Sequence, residues 1–198
     1  MKYSLLFILV FISFFSTAQT VQIKTSMGSI IVELYADKAP ITVANFMRYV
    51  DEKRYEGGAF YRVVRLDNQQ TSSVKIEVIQ GGLHKDTSKV LPPIKQETTN
   101  ITGIKHVDGA ISMARGKPDS GASEFFICIN DQPELDYGGK RNPDGQGFAA
   151  FGKVVKGMDV VRKIQQGETG MPAETNAYAN PTQYLKKPVR IQSVRRIK

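Results

Sequence analysis

The chain lacks tryptophan altogether and has one cysteine and two histidines in 198 residues. A lone thiol, Cys128, excludes any intramolecular disulfide. It sits in the run Phe125-Phe126-Ile127-Cys128-Ile129, where a cysteine serves as a small buried hydrophobe rather than a nucleophile. His84 and His106 lie in polar, loop-like segments with no acidic partner at an informative spacing, which argues against a Cys-His catalytic pair. Also missing are a glycine-rich phosphate loop, a metal-ligand cluster, a nucleophile elbow and any internal repeat. No metal and no cofactor is therefore expected. The formal charge is +8, yet its Lys and Arg are dispersed, as on a solvated surface. The one basic cluster is Arg190, Arg195, Arg196 and Lys198 at the end, without interleaved exposed aromatics, so nucleic acid is not an expected partner.

The start of the chain is a separate matter from the fold. Lys2 precedes an apolar run over residues 5–15, which is short for a bilayer span. Ser16-Thr17-Ala18 then places small residues before Gln19, the pattern of a removable secretory signal. The expectation is a signal over 1–18 and a mature domain over 19–198, exported to the periplasm or another extracytoplasmic space and not held on a membrane after cleavage. The mature segment is long enough to bury one core as a single domain, and a monomer is expected.

Residues 21–25 and 29–35 read as two half-buried strands joined at Ser26-Met27-Gly28, because Ile30, Val32 and Leu34 alternate with polar neighbours. Pro40 opens a helix whose apolar residues Val43, Phe46, Met47 and Val50 share one face, and proline is tolerated in a first turn. Further strands are predicted at 59–65, 74–80, 109–114, 124–129, 148–154 and 189–197, with a second helix at 158–165 ended by Gly167. The polar stretch 66–73 reads as a loop in solvent, and 167–187 as a surface excursion. This pattern is mainly β, with two helices, and by itself leaves a closed barrel or a sandwich open.

Five motifs in order narrow that choice: Phe60-Tyr61-Arg62-Val63-Val64, Ile79-Gln80-Gly81-Gly82, Gly109 through Arg115, Ser123 through Ile127, and Phe151-Gly152-Lys153-Val154 before Gly157-Met158. With Ala39-Pro40-Ile41-Thr42-Val43-Ala44-Asn45-Phe46, they resemble the cyclophilin family over nearly all of 21–165. The resemblance implies a closed eight-stranded antiparallel barrel capped by two helices, and peptidyl-prolyl cis/trans isomerase activity on proline-containing peptides or unfolded proteins. It implies Arg62 as the catalytic residue, Gln80 as its neighbour, and a proline pocket of Val78, Phe126, Leu135 and Phe148, with Phe60, Ala114, Arg115 and Glu124 also against substrate. Strand alternation puts Phe60, Arg62 and Val64 on one face. Taken alone, a strand arginine pairs with a surface carboxylate; its neighbours shift the reading toward catalysis.

Several positions depart from the best-known family pattern. Glu77-Val78 replaces an aromatic-methionine pair, Glu124 a glutamine, and Arg115 an asparagine. Glu134 stands in place of a tryptophan associated with cyclosporin, so weak inhibition by that drug is expected. The loops 66–73 and 137–147 are longer than the minimal pattern. Glu124 is expected to accept hydrogen bonds from Arg62 or Arg115. Together with Glu77 it motivates a second reading, a proline-peptide-binding or chaperone module that has lost turnover.

Overall fold

The computed structural model describes residues 19–83, 86–170 and 181–197. The expected signal over 1–18, His84 and much of the 167–187 stretch lie outside them. Eight strands close into an antiparallel barrel in the order β1-β2-β7-β5-β6-β4-β3-β8. They are β1 Gln19–Thr25, β2 Gly28–Leu34, β3 Ala59–Val64, β4 Val78–Gly82, β5 Ala110–Met113, β6 Phe125–Cys128, β7 Ala149–Lys156 and β8 Tyr184–Ile197. Alternation decides which side chains enter the barrel: Val21 and Ile23 from β1 and Ile30, Val32 and Leu34 from β2 are fully buried inside it. Closure leaves no unpaired strand edge.

Helix α1, Pro40–Asp51, follows β2 just past Leu34 and packs on β7 and β8. Its N-cap residue, Ala39, offers no side-chain acceptor. Glu97 does that work from far along the chain, accepting Ile41 N–H at 3.1 Å, Thr42 N–H at 2.7 Å and the Thr42 hydroxyl at 2.7 Å. Phe46 carries the helix into an aromatic knot with Tyr55, Phe125 and Phe151, at ring separations of 5.2–5.6 Å. A single helical turn, α2 Thr99–Thr102, was not expected from the sequence. Helix α3, Met158–Gln165, meets the barrel at the opposite end of β2, where Val160 lies against Gly28.

Three expectations about boundaries need correction. The strand expected at 74–80 begins only at Val78, because the Gln69 side chain takes the ladder's place at Ile76. Its Oε1 accepts Ile76 N–H at 3.1 Å and its Nε2 donates to Ile76 C=O at 2.8 Å. For the same reason the 66–73 loop does not stand out in solvent: Asn68 and Gln69 are buried. The closing strand starts five residues early, at Tyr184 rather than 189, so part of the expected surface excursion belongs to the barrel.

Candidate active site

One irregularity in β3 sets the site. Phe60 pairs with Gly81 and Arg62 with Gln80, so Tyr61 is the extra residue of a bulge. The inserted residue reverses the alternation: Phe60 points into the barrel, fully buried, its ring edge-on to Phe125, whereas Arg62 and Val64 face outward. The expectation that Phe60 shares the face of Arg62 and touches substrate is therefore corrected; it is a core residue behind the site.

On the outer face the ladder aligns Arg62 with Gln80, Phe126 and Ser112, and the next row aligns Val64, Val78 and Cys128. Val64, Ile76, Val78, Ala110, Phe126, Cys128 and Leu135 form a second apolar cluster outside the barrel interior, with Ala114 and Phe148 packed against it. Above this floor opens a groove of about 260 Å³. Arg62, Val78, Gln80, Ala114, Arg115, Phe126, Leu135 and Phe148, all singled out from the sequence, line it. Phe148 stands edge-on to Phe126 at 5.2 Å, which gives the notch two aromatic walls at right angles. Glu124 is not in this groove; it lines an adjoining one of about 280 Å³ with Gln80, Ala114 and Arg115.

Arg62 is held by neutral acceptors. Its Nη1 donates to Gln80 Oε1 at 2.7 Å, and its Nε and Nη2 donate to Gln183 Oε1 at 3.0 and 2.6 Å. No carboxylate among the described residues pairs with it. Burial draws its pKa below the usual arginine range, partly offset by Tyr184 and Tyr61, and an arginine remains protonated there. The site thus contains a desolvated positive charge, fixed in direction but not neutralised.

Glu124 departs from expectation in its hydrogen bonds. Its Oε2 accepts the Tyr61 hydroxyl at 2.6 Å and its Oε1 accepts Leu83 N–H at 2.9 Å, while the carboxylate lies over Gly82, where a Cβ would sit 2.6 Å from it. Gly82 has φ +151°, so glycine is required twice over at that position. The Tyr61 hydroxyl in turn accepts Gln80 Nε2–H at 3.0 Å. A chain of three bonds, Arg62 to Gln80 to Tyr61 to Glu124, orients the Gln80 amide so that its oxygen meets the guanidinium. Burial and the Glu124 carboxylate push the Tyr61 hydroxyl far above the usual tyrosine range, so it stays a donor.

Arg115 is a clamp. Its Nε and Nη2 donate to Gly147 C=O at 2.9 and 2.6 Å, it forms a two-point pair with Asp144 at 2.8 and 2.9 Å, and it lies 5.2 Å over the Phe148 ring. That pairing neutralises its charge and fixes the loop carrying Phe148.

Several residues of the site were not legible in the sequence. Gln183 was assigned to a surface excursion, yet it is buried and holds Arg62. Tyr184 stacks on Tyr61 at 5.9 Å. His106, placed from the sequence in a polar loop with no acidic residue at an informative spacing, is buried with its Nδ1 2.8 Å from Asp136 Oδ1 and its Nε2 2.9 Å from Ser112 Oγ. Because a carboxylate only accepts, Nδ1 carries the proton. The set has the order of a hydrolase triad, but Ser112 is fully buried beside its cross-strand partner Phe126, on which the His106 ring stacks at 5.9 Å; it braces the pocket floor. No signal within a short window could have found it, since Asp136 lies thirty residues from His106.

The chain matches the family described as cyclophilin type peptidyl-prolyl cis-trans isomerase/CLD over residues 20–196. It is 38% identical to a peptidyl-prolyl cis-trans isomerase of Acinetobacter baylyi over 178 residues, covering 88% of this chain and 83% of that one. Identity to peptidyl-prolyl cis-trans isomerase A of Dickeya dadantii is 38% over 186 residues, covering 92% and 87%. Among solved structures, a cyclophilin type isomerase of Cryptosporidium parvum superposes with a TM-score of 0.70 at 19% identity, covering 92% of this chain and 99% of the other. Barrel order, groove and matched sequence agree, and the chain belongs to the cyclophilin family of peptidyl-prolyl cis-trans isomerases.

Proposed function

We propose that the isomerase turns X-Pro bonds by electrostatic stabilisation of the twisted amide, with Arg62 as the catalytic residue and no covalent intermediate, acting on exported or unfolded polypeptides. A peptide bond resists rotation because the nitrogen lone pair is delocalised into the carbonyl. When the bond twists, that lone pair localises, and a guanidinium aimed at the prolyl nitrogen lowers the energy of the twisted state more than of either planar one. The notch of Val78, Phe126, Leu135 and Phe148 holds the ring. Gln80 keeps Arg62 in place through its Oε1. Raising an uncatalysed rate of tens of seconds to about a thousand turnovers per second needs about 6 to 7 kcal/mol of such selective binding. A desolvated, preorganised charge is of the right size to supply it.

The observation that carries the reading is the Arg62 guanidinium lining the apolar groove with only neutral hydrogen-bond acceptors among the described residues. A carboxylate partner would have cancelled its charge before substrate arrived. The second reading, a binding module without turnover, rested on Glu77 and Glu124. Glu77 accepts from Asn130 at 3.0 Å and Gln165 at 3.3 Å, outside the groove, and Glu124 is engaged by Tyr61 and Leu83, which weakens it. Export and cleavage after Ala18 are supported by Lys2, the apolar run at 5–15 and Ser16-Thr17-Ala18, and we take the exported protein to be a monomer. The test is cis/trans exchange in a short Ala-Pro peptide followed by NMR: wild type accelerates it and Arg62→Ala does not. Equal rates for the two proteins would overturn the assignment. Secretion of a full-length fusion, with the mature N-terminus read by mass spectrometry, tests export.

A further inference from the structure

Among the described residues three guanidiniums line the proline groove, and no Asp or Glu does. Arg115 is neutralised by Asp144. Arg62 has only neutral partners among the described residues. Arg141 is the third, and it comes from the 137–147 loop that the sequence marks as longer than the minimal family pattern. Its Nη1 ties it to a second loop, donating to Gln69 Oε1 at 3.0 Å, Ser72 Oγ at 2.7 Å and Val74 C=O. All three acceptors are uncharged, and among the described residues no carboxylate pairs with Arg141. Its Nε and Nη2 donate to no protein acceptor among them, so part of the fork is left for a ligand. Asn142, next in the chain, adds an amide to the same lining.

We propose that Arg141 makes one rim of the groove a receptor for a carboxylate, so that the groove binds most tightly those segments in which an acidic side chain flanks the proline. The inference rests on the groove being the proline site. A planar guanidinium fits a carboxylate in a two-point contact. The loop anchor at Nη1 fixes Arg141 before substrate binds, so less side-chain freedom is lost on binding. Burial and the neighbouring charge of Arg62 both push the Arg141 pKa below the ordinary arginine range. An incoming carboxylate relieves the repulsion between these two like charges. It adds an attraction that bulk salt screens only in part, because the groove is recessed.

The test uses two sets of short peptides around one Ala-Pro unit, with Glu, Gln or Lys placed directly after the proline in one set and directly before the Ala-Pro bond's acyl residue in the other. Dissociation constants are measured by NMR titration for the wild type, Arg141→Gln and Arg141→Lys at low and high salt. The expected result is a Glu peptide bound about fivefold more tightly than its Gln twin in at least one set, with the Lys peptide weakest. The ratio should fall below about twofold in Arg141→Gln, partly return in Arg141→Lys, and shrink with salt. A general loosening of the two loops would weaken Glu and Gln peptides alike and leave the ratio intact. Wild-type protein that binds Glu and Gln twins equally in both sets overturns the proposal, as does a preference that survives Arg141→Gln. Exchange broadening of the Gln peptide is read in the same spectra. Its absence would count against the isomerase mechanism, whereas exchange without charge preference would remove only the carboxylate rim.

Discussion

Gln183→Ala is the sharpest probe of how Arg62 is held. The Gln183 side-chain oxygen accepts two of the three hydrogen bonds that the guanidinium makes to described residues, and Gln183 Nε2 donates to Asn68 C=O at 3.2 Å, which ties it to the 66–73 loop. Hydrogen bonds to a charged group are worth about 1.5–3 kcal/mol each, net of the water they replace. Loss of both leaves Arg62 with Gln80 alone, and re-ordering a freed arginine costs up to about 2 kcal/mol of rotamer entropy. Some of that is recovered through solvation, so the expected penalty in the twisted state is about 1.4 kcal/mol, or roughly tenfold in kcat/KM. The loss should fall on kcat more than on KM, because the notch that binds the ring does not include residue 183. Isomerisation of an Ala-Pro peptide by NMR exchange gives both constants, and a urea melt shows whether the barrel stays folded. Gln183→Glu serves as the counterpart. A carboxylate there would pair with Arg62, cancel its field and lower activity further than alanine does, although the guanidinium would be held at least as firmly. Activity of Gln183→Ala within about twofold of wild type, with the fold intact, would refute the idea that this anchor sustains catalysis.

Two predictions concern stability. The Tyr55 hydroxyl is buried with no hydrogen-bond partner among the described residues, while its ring stacks on Tyr49 at 5.1 Å and packs against Phe46. Tyr55→Phe keeps the packing and removes an unsatisfied group, so the unfolding free energy from urea titration should rise by about 1 kcal/mol; a fall would refute this. Burial alone would raise the pKa of Asp136, but hydrogen bonds from the ring and backbone of His106 outweigh it and hold the carboxyl below the usual range. Its stabilising contribution is therefore present above the unfolded-state pKa of about 3.9 and is lost as pH falls through the lower folded value. Asp136→Asn should flatten that acid limb in urea melts taken across pH, and an unchanged limb would show that other carboxylates set it.

Alternation of apolar and polar residues was enough to place most strands and helices α1 and α3, because burial on one face imposes a period that neighbouring residues record. The motif order carried the family and, with it, Arg62, Gln80, Val78, Phe126, Leu135 and Phe148 in a single groove. What the sequence could not decide was whatever depends on residues meeting from far apart. An extra residue at Tyr61 turned Arg62 and Val64 outward while Phe60 stayed in the core, since one bulge inverts every later side chain on the strand. The Gln69 amide replaced a ladder at Ile76 and shortened β4. Gln183 reaches Arg62 across 121 positions, and Arg141 bonds Gln69 and Ser72 from 72 and 69 positions away. Local patterning records which face of an element is apolar. Only barrel closure brings the charged and amide groups of distant loops together over that face, and with it determines which arginine is neutralised and which is left to act.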